Sequence, residues 1–545
     1  MSSVSLPARA NLTQLRKQAR DLQRAVRAGS APALAEVAEY YPGGAPGPAA
    51  AQFPLHAARL VVSRRYGFSS WTRLKRYVET LEHYTRVPPT ETDGIVGTTG
   101  SGSAGEAGGA AETYGSAGDS RASEDSGTAT GGELADEFLR LACLWYEDDG
   151  PERWGRARAL LAAHPELTAG HVHAAAAAAD VAALRAILND DPDAARREDG
   201  PYRAEPLYYL AYARHDPDIS LEATLASARL LLAAGADPNA GYLWRGLPSP
   251  FTVLTGVFGQ GELGPDRQPP HPHAQALARL LLESGADPND AQALYNRMFE
   301  PGNDHLELLL EFGLGTGDGG PWQQRVGEAI GTPAQRAEGE VDWAITHGLA
   351  DRIRLLARHG VDVSSPRPGG LTPAQQALTT GHAELLDVLA EFGVARPELS
   401  PADAMLAALL AGDRAAVSRL AEDDPRSLAQ VRKRRPGLIV WAAVLGRTAA
   451  VELLAELGFD VNAKARTDGP GTTEWETALH YTAEAGHLDL ARRLIELGAD
   501  PDLRDQRFGT TPLGWARYFG QPELIAFLEP LTRPEEAGEA GPGAD

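Results

Sequence analysis

The chain has 545 residues, with 51 Lys or Arg against 74 Asp or Glu and a single cysteine. That length exceeds one compact core, and one cysteine excludes both a disulfide framework and a multi-cysteine metal site. No apolar run approaches a membrane span and the first thirty residues are basic without a signal-peptide core, so a cytoplasmic protein is expected. In chain order, residues 1–86 read as a basic helical module with 13 Lys or Arg against 5 Asp or Glu. Leu12, Leu15, Ala19, Leu22 and Val26 form an apolar stripe at helical spacing, with Arg16, Arg20, Arg24 and Arg27 on the opposite side. Further helices are predicted over 32–41, 51–66 and 70–84. Residues 87–132 are Gly, Ser, Thr, Ala and acidic residues, a composition that cannot bury enough apolar surface to offset chain entropy, so a disordered linker is expected. Residues 531–545 are expected to be a disordered tail.

Between linker and tail one phrase recurs. It reads Leu231-Leu232-Ala233-Ala234-Gly235-Ala236-Asp237-Pro238-Asn239, returns at Leu281–Asn289 around Gly285, and returns again at Leu494–Asp502 around Gly498. Reduced copies stand at Gly360, Gly393 and Gly458, and an Asp-Pro variant at 160–165, 188–192 and 420–425. The leucines face a neighbouring helix, the glycine ends the helix in a left-handed conformation, and Asp-Pro-Asn turns the chain. Leu389, Leu454 and Leu494 are therefore expected in the interior. A second phrase follows several closers: Thr477-Ala478-Leu479-His480 ending at Gly486-His487, and Thr511-Pro512-Leu513 ending at Gly520. Threonine caps a first helix and proline or alanine starts it.

These two phrases resemble ankyrin repeats, strongly over residues 337–530 and in degenerate form, with insertions, over 133–336. Leu-Pro-x-Arg at the start and Tyr66-Gly67-Phe68-Ser69-Ser70-Trp71 resemble a module that precedes such repeats in bacterial proteins. The resemblance implies a mainly α ankyrin solenoid behind a small helical N-terminal domain. Counting both closer types gives about ten or eleven helix pairs. Gly285 to Gly313 is a clipped unit with helices placed at 291–299 and 304–312. The resemblance also implies that His480 makes a structural hydrogen bond to the neighbouring turn, and that Gly235, Gly285, Thr477, His480, Gly486, Gly498, Thr511 and Pro512 carry the repeat signature.

Catalytic signatures are absent. None of the four lysines follows glycine, which excludes a phosphate-binding loop, and no His-Glu-x-x-His occurs. Gly100–Gly105 matches a dinucleotide pattern by letter, with no strand before it. His171 and His173 alternate on a helix and cannot easily share a metal, and His271 and His273 read as surface residues of a proline-rich loop. Cys143 reads as a small core residue. No catalytic residue, cofactor or metal is assigned.

The loops hold the better lead. Tyr242, Trp244, Arg245 and Phe251, between Gly and Pro, have an interface composition, as do Trp475 and Arg507 farther on. The alternative for the first group is a hydrophobic plug, and a mixture is expected, with Trp244 partly buried and Arg245 exposed. The function expected is a non-enzymatic scaffold or adaptor, a monomeric solenoid binding an unidentified protein partner without membrane or nucleic acid. Two alternatives stand beside it: a nucleic-acid-associated regulator acting through the basic module, and a contact regulator or inhibitor of an enzyme.

Overall fold

The computed structural model describes residues 6–7, 10–42, 50–87 and 131–533. The expected linker, apart from residues 87, 131 and 132, and the tail from 534 onward lie outside the described residues. Those residues form helices joined by turns, with short strands only, in two compact units: one takes the chain up to Glu340, the other from Val341.

In the first unit the basic module is four helices: α1 (Leu12–Arg27), α2 (Ala31–Tyr40), α3 (Leu55–Arg65) and α4 (Trp71–Tyr84). Asn11 caps α1 by accepting from the Gln14 N–H, and Ser70 caps α4 by accepting from Arg73. The stripe is buried from Leu15 through Val26, against Val37, Phe53, Val61, Leu74 and Val78. The third helix starts four residues later than the pattern predicts. Pro54 disfavours helical backbone at Phe53, so Ala50–Gln52 forms a separate turn and α3 begins after the proline.

The module does not stand apart from the helices that follow residue 131. Its last residues form strand β1 (Thr85–Arg86), which pairs in parallel with β2 (Gly241–Trp244), Thr85 opposite Leu243 and Arg86 opposite Trp244. On its other edge β2 pairs antiparallel with β3 (Pro250–Thr252). Leu243, Trp322 and Val326 close over Tyr77, Leu81 and Tyr84. The Trp322 indole N–H donates to the Asn239 carbonyl at 2.9 Å, its ring meets Tyr84 at 5.0 Å, and the Arg325 guanidinium lies over both rings. A domain boundary drawn at residue 86 thus separates elements that the fold packs into one unit.

The repeated closer has a mechanical role. Within each copy the Asp carboxylate accepts from the N–H two residues on: Asp237 from Asn239 (2.8 Å), Asp287 from Asn289 (3.1 Å), Asp460 from Asn462 (2.9 Å). The Asn then reaches the next copy. Asn239 accepts from the Asp287 N–H and donates to the Gly285 carbonyl, at 2.8 and 2.9 Å. Asn289 does the same with Gly315 and Thr316, and Asn462 with Asp500 and Gly498. Each amide replaces a peptide group and sets the register of one turn on the next. Gly285 and Gly498 take φ of +98° and +96°, as a helix ending in the left-handed region requires. Leu389, Leu454 and Leu494 are fully buried. The clipped unit has helices Ala291–Met298 and Asp304–Glu311, each ending one residue before its expected end.

Candidate partner-binding surface

Two loops singled out by composition meet different fates. In the first unit, Tyr242 is 1% exposed and Phe251 5%. The Tyr242 ring stacks on Trp145 at 5.2 Å and on Phe251 at 5.5 Å, inside an aromatic cluster with Tyr202, Tyr208 and Tyr212. The reading of Tyr242 and Phe251 as surface contacts is corrected: both are core residues. Trp244 is half-buried, and Arg245 is exposed, stacked on Trp244 at 4.9 Å and ion-paired with Glu147.

Arg214 braces this cluster. Its Nε donates to the Pro269 carbonyl and its Nη atoms to the Ala211, Ala213 and Gly256 carbonyls, at 2.5–2.9 Å. Burial lowers it to about 10, which leaves it charged at neutral pH, and the four carbonyls satisfy that charge. A Cβ on Gly256 would lie 2.1 Å from the Tyr212 ring, so only glycine allows that helix its approach.

In the second unit, β4 (Lys464–Ala465) and β5 (Glu476–Thr477) form an antiparallel finger ahead of the helix Ala478–Ala485. Two guanidinium groups lie over the Trp475 ring, Arg466 at 4.2 Å and Arg507 at 4.4 Å from its centre. Arg507 also covers Phe508 at 5.0 Å, and Phe508 is 45% exposed. The fold thus brings together Trp475 and Arg507, both half-exposed, from two successive fingers. The Gln506 N–H donates to the Trp475 carbonyl at 2.8 Å, joining the fingers. Asp505 holds the second finger open by accepting from the N–H groups of Arg507, Phe508 and Thr510 and from the Trp515 indole.

Two buried groups tune this surface from below. Glu476 is fully buried and accepts from Arg507 at 3.2 Å; burial pushes it up to about 7, with Arg507 pulling the other way. His480 is neutral, lowered to about 4 by burial. Its Nε2–H donates to the Thr510 carbonyl at 3.1 Å while Nδ1 accepts from the Thr477 hydroxyl at 2.8 Å, so it ties the first finger to the next turn. Phe508 was missed by the sequence reading. Its signal is a position beside Arg507 in a finger, three residues before the capping Thr511, where Trp475 stands two residues before the capping Thr477.

The other candidates are internal. His271 is buried rather than on a surface loop: burial lowers it well below its ordinary value, and Nδ1 accepts from the His273 N–H. His273 Nε2–H donates to the Ile219 carbonyl, which turns the loop inward. His173 donates to the Arg197 carbonyl at 2.8 Å. Cys143 is buried and pushed up to about 12, which disfavours the thiolate. A cavity of about 260 Å³ lies among Trp154, Arg158, Arg214 and five prolines, with no carboxylate, histidine or thiol in its wall. Among the described residues no three His, Cys, Asp or Glu converge as metal ligands, and no helix is long and apolar enough to cross a membrane.

Comparison with known proteins agrees with the repeat geometry. A family model described as ankyrin repeats (3 copies) matches residues 404–505 and 439–531, the stretch that contains both fingers. The E3 ubiquitin-protein ligase Ufd4 of Drosophila melanogaster is 41% identical over 95 residues, covering 17% of this chain and 3% of that protein. The E3 ubiquitin-protein ligase hecd-1 of Caenorhabditis elegans is 36% identical over 77 residues, covering 14% and 2%. The chain thus spans only a few hundredths of the curated relatives it matches. Ankyrin repeats are present in the C-terminal region of this chain, and they support a protein-interaction role.

Proposed function

We propose that the chain is a non-enzymatic, cytoplasmic scaffold or adaptor, a solenoid of about ten or eleven helix pairs that binds a protein partner through the fingers of its second unit. The observation that carries this reading is the stack Arg466–Trp475–Arg507–Phe508. Trp and Arg dominate interface hot spots because each offers a large flat face together with donors, and here they are pre-ordered on successive turns. The stack costs little entropy to present, since Glu476 and Asp505 already fix its base. The test is affinity capture from the native host with the full chain and with a Trp475→Ala/Arg507→Ala variant. Loss of a specific partner with the melting temperature nearly unchanged is expected. An unchanged capture profile, or a drop of many degrees, would overturn the reading.

A second reading, regulation of an enzyme by contact, draws on the ligase likeness, which is confined to less than a fifth of this chain. Co-purification of a catalytic partner separates it from a passive scaffold. The nucleic-acid reading rests on Arg16, Arg20 and Arg24, exposed on α1; a clean absence of DNA and RNA binding at low salt removes it.

A further inference from the structure

The end of the basic module enters a socket of the Tyr202 and Arg203 carbonyls that is shaped for a guanidinium group. Arg86 is only 6% exposed. Its Nη2 donates to the Arg203 carbonyl at 3.1 Å and its Nε to the Tyr202 carbonyl at 3.3 Å; Nη1 donates to its own module's His83 carbonyl at 2.6 Å. The Glu198 carboxylate stands 3.5 Å away. On the backbone side, the Arg245 N–H donates to the Arg86 carbonyl at 2.8 Å, and Arg86 lies opposite Trp244 in the parallel ladder. Arg203 and Arg245 both have left-handed backbone, φ of +48° and +51°. Non-glycine residues rarely adopt that conformation and keep it only where the surroundings over-determine it. Here one aims a carbonyl at the guanidinium and the other aims an N–H at the main chain of the same residue.

We propose that the edge of β2 that β1 covers, with the carbonyl socket of Tyr202 and Arg203, is a binding site for an extended segment carrying an arginine, that Thr85–Arg86 is its tethered occupant, and that a basic segment of a partner protein takes the site by displacing the tether. Strand addition of this kind draws affinity from main-chain bonds and specificity from one side-chain pocket. The pocket selects arginine over lysine, because divergent carbonyls need several donors in a fixed fork. Charge at the socket is set by the Glu198 carboxylate, which attracts a guanidinium, and by Arg203, which opposes it, within a stretch, residues 133–545, of net charge −25. The occupant is short, two ladder residues and one socketed side chain, and it is held in place by the adjoining α4, whose Tyr77, Leu81 and Tyr84 pack on Leu243 and Trp322, so its hold depends on its being part of the same chain. This site lies in the first unit and is independent of the finger surface.

The experiment uses the full chain and a fluorescein-labelled peptide of residues 81–87, Leu-Glu-His-Tyr-Thr-Arg-Val, read by anisotropy. The Arg86→Ala chain is expected to bind the peptide about tenfold or more tighter than the unmodified chain, whose own strand competes at high effective concentration. A peptide with lysine or alanine at the arginine position should bind neither. Hydrogen exchange at the Arg245 amide should speed up in Arg86→Ala and slow again when peptide is added. Arg86→Lys, which keeps the ladder and the charge but loses the donor fork, is the second variant should Arg86→Ala fail to fold. Equal binding to variant and unmodified chain, binding indifferent to the arginine, or no protection of the Arg245 amide would overturn the proposal.

Discussion

The hairpin at 241–252 and the finger at 464–477 start from the same ingredients: a short antiparallel pair, a tryptophan, a neighbouring arginine stacked on it, and a position just ahead of a first helix. One became core and the other surface. In the hairpin, Tyr242 and Phe251 turn into an aromatic cluster while β1 of the N-terminal module covers the outer edge. In the finger, Trp475 stays half-exposed, covered by two guanidinium groups that are themselves partly exposed. Aromatic and arginine content therefore marks where large faces are presented. Whether the chain itself or a partner covers them depends on what else the fold brings there.

That contrast can be broken at its strongest point first. Tyr242→Ala should cost about 3–5 kcal/mol, the range for emptying a large aromatic site, read from denaturant unfolding. A cost below 1 kcal/mol would return Tyr242 to the surface reading. Leu494→Ala, in the interior of the second unit, should cost about 2–5 kcal/mol, and a negligible change would put the repeat register in error. Gly498→Val should cost about 1–3 kcal/mol. No atom lies within 4 Å of the site an added Cβ would take, so the cost is conformational and Gly498→Asn should recover much of it.

Glu476 sharpens the comparison through pH. Its folded value, about 7, lies above its ordinary value of 4.5, so the folded state holds the proton more tightly than the unfolded one. Its contribution is complete below pH 4.5 and is lost as pH rises towards 7. Unfolding free energy measured across that window should fall less steeply with pH in Glu476→Gln than in the unmodified chain; parallel curves would mean that the buried carboxyl titrates normally. The smallest stability effect belongs to Trp475→Ala, about 1 kcal/mol or less, the worth of exposed cation–π contacts. A loss comparable to that of Tyr242→Ala would make the finger a second plug.

Much of the local architecture was legible beforehand. The helices of the N-terminal module follow the 3.6-residue stripe, and the closers follow from glycine's left-handed freedom and the Asx turn, both properties of a few adjacent residues. The ladder that Asn239, Asn289 and Asn462 build between copies was not foreseen, although the residues were in plain view, because their partners lie 26 to 48 positions away. β1 left no trace either: two residues carry no periodicity, and their partner is more than 150 positions along the chain. The inward turn of His271 and His273 depends likewise on Val257 and Ile219, from a neighbouring helix and loop.

By itself the sequence determined the repeat, the helix ends and the buried leucines, because each depends on backbone preference and apolar spacing within one or two turns. Only the tertiary structure decided that Arg86 enters a socket of the Tyr202 and Arg203 carbonyls, that Tyr242 is interior, and that Trp475 and Arg507 share a stack. Those outcomes depend on which surfaces meet across long separations. Burial, unlike helix formation, is a property of the neighbour as much as of the residue.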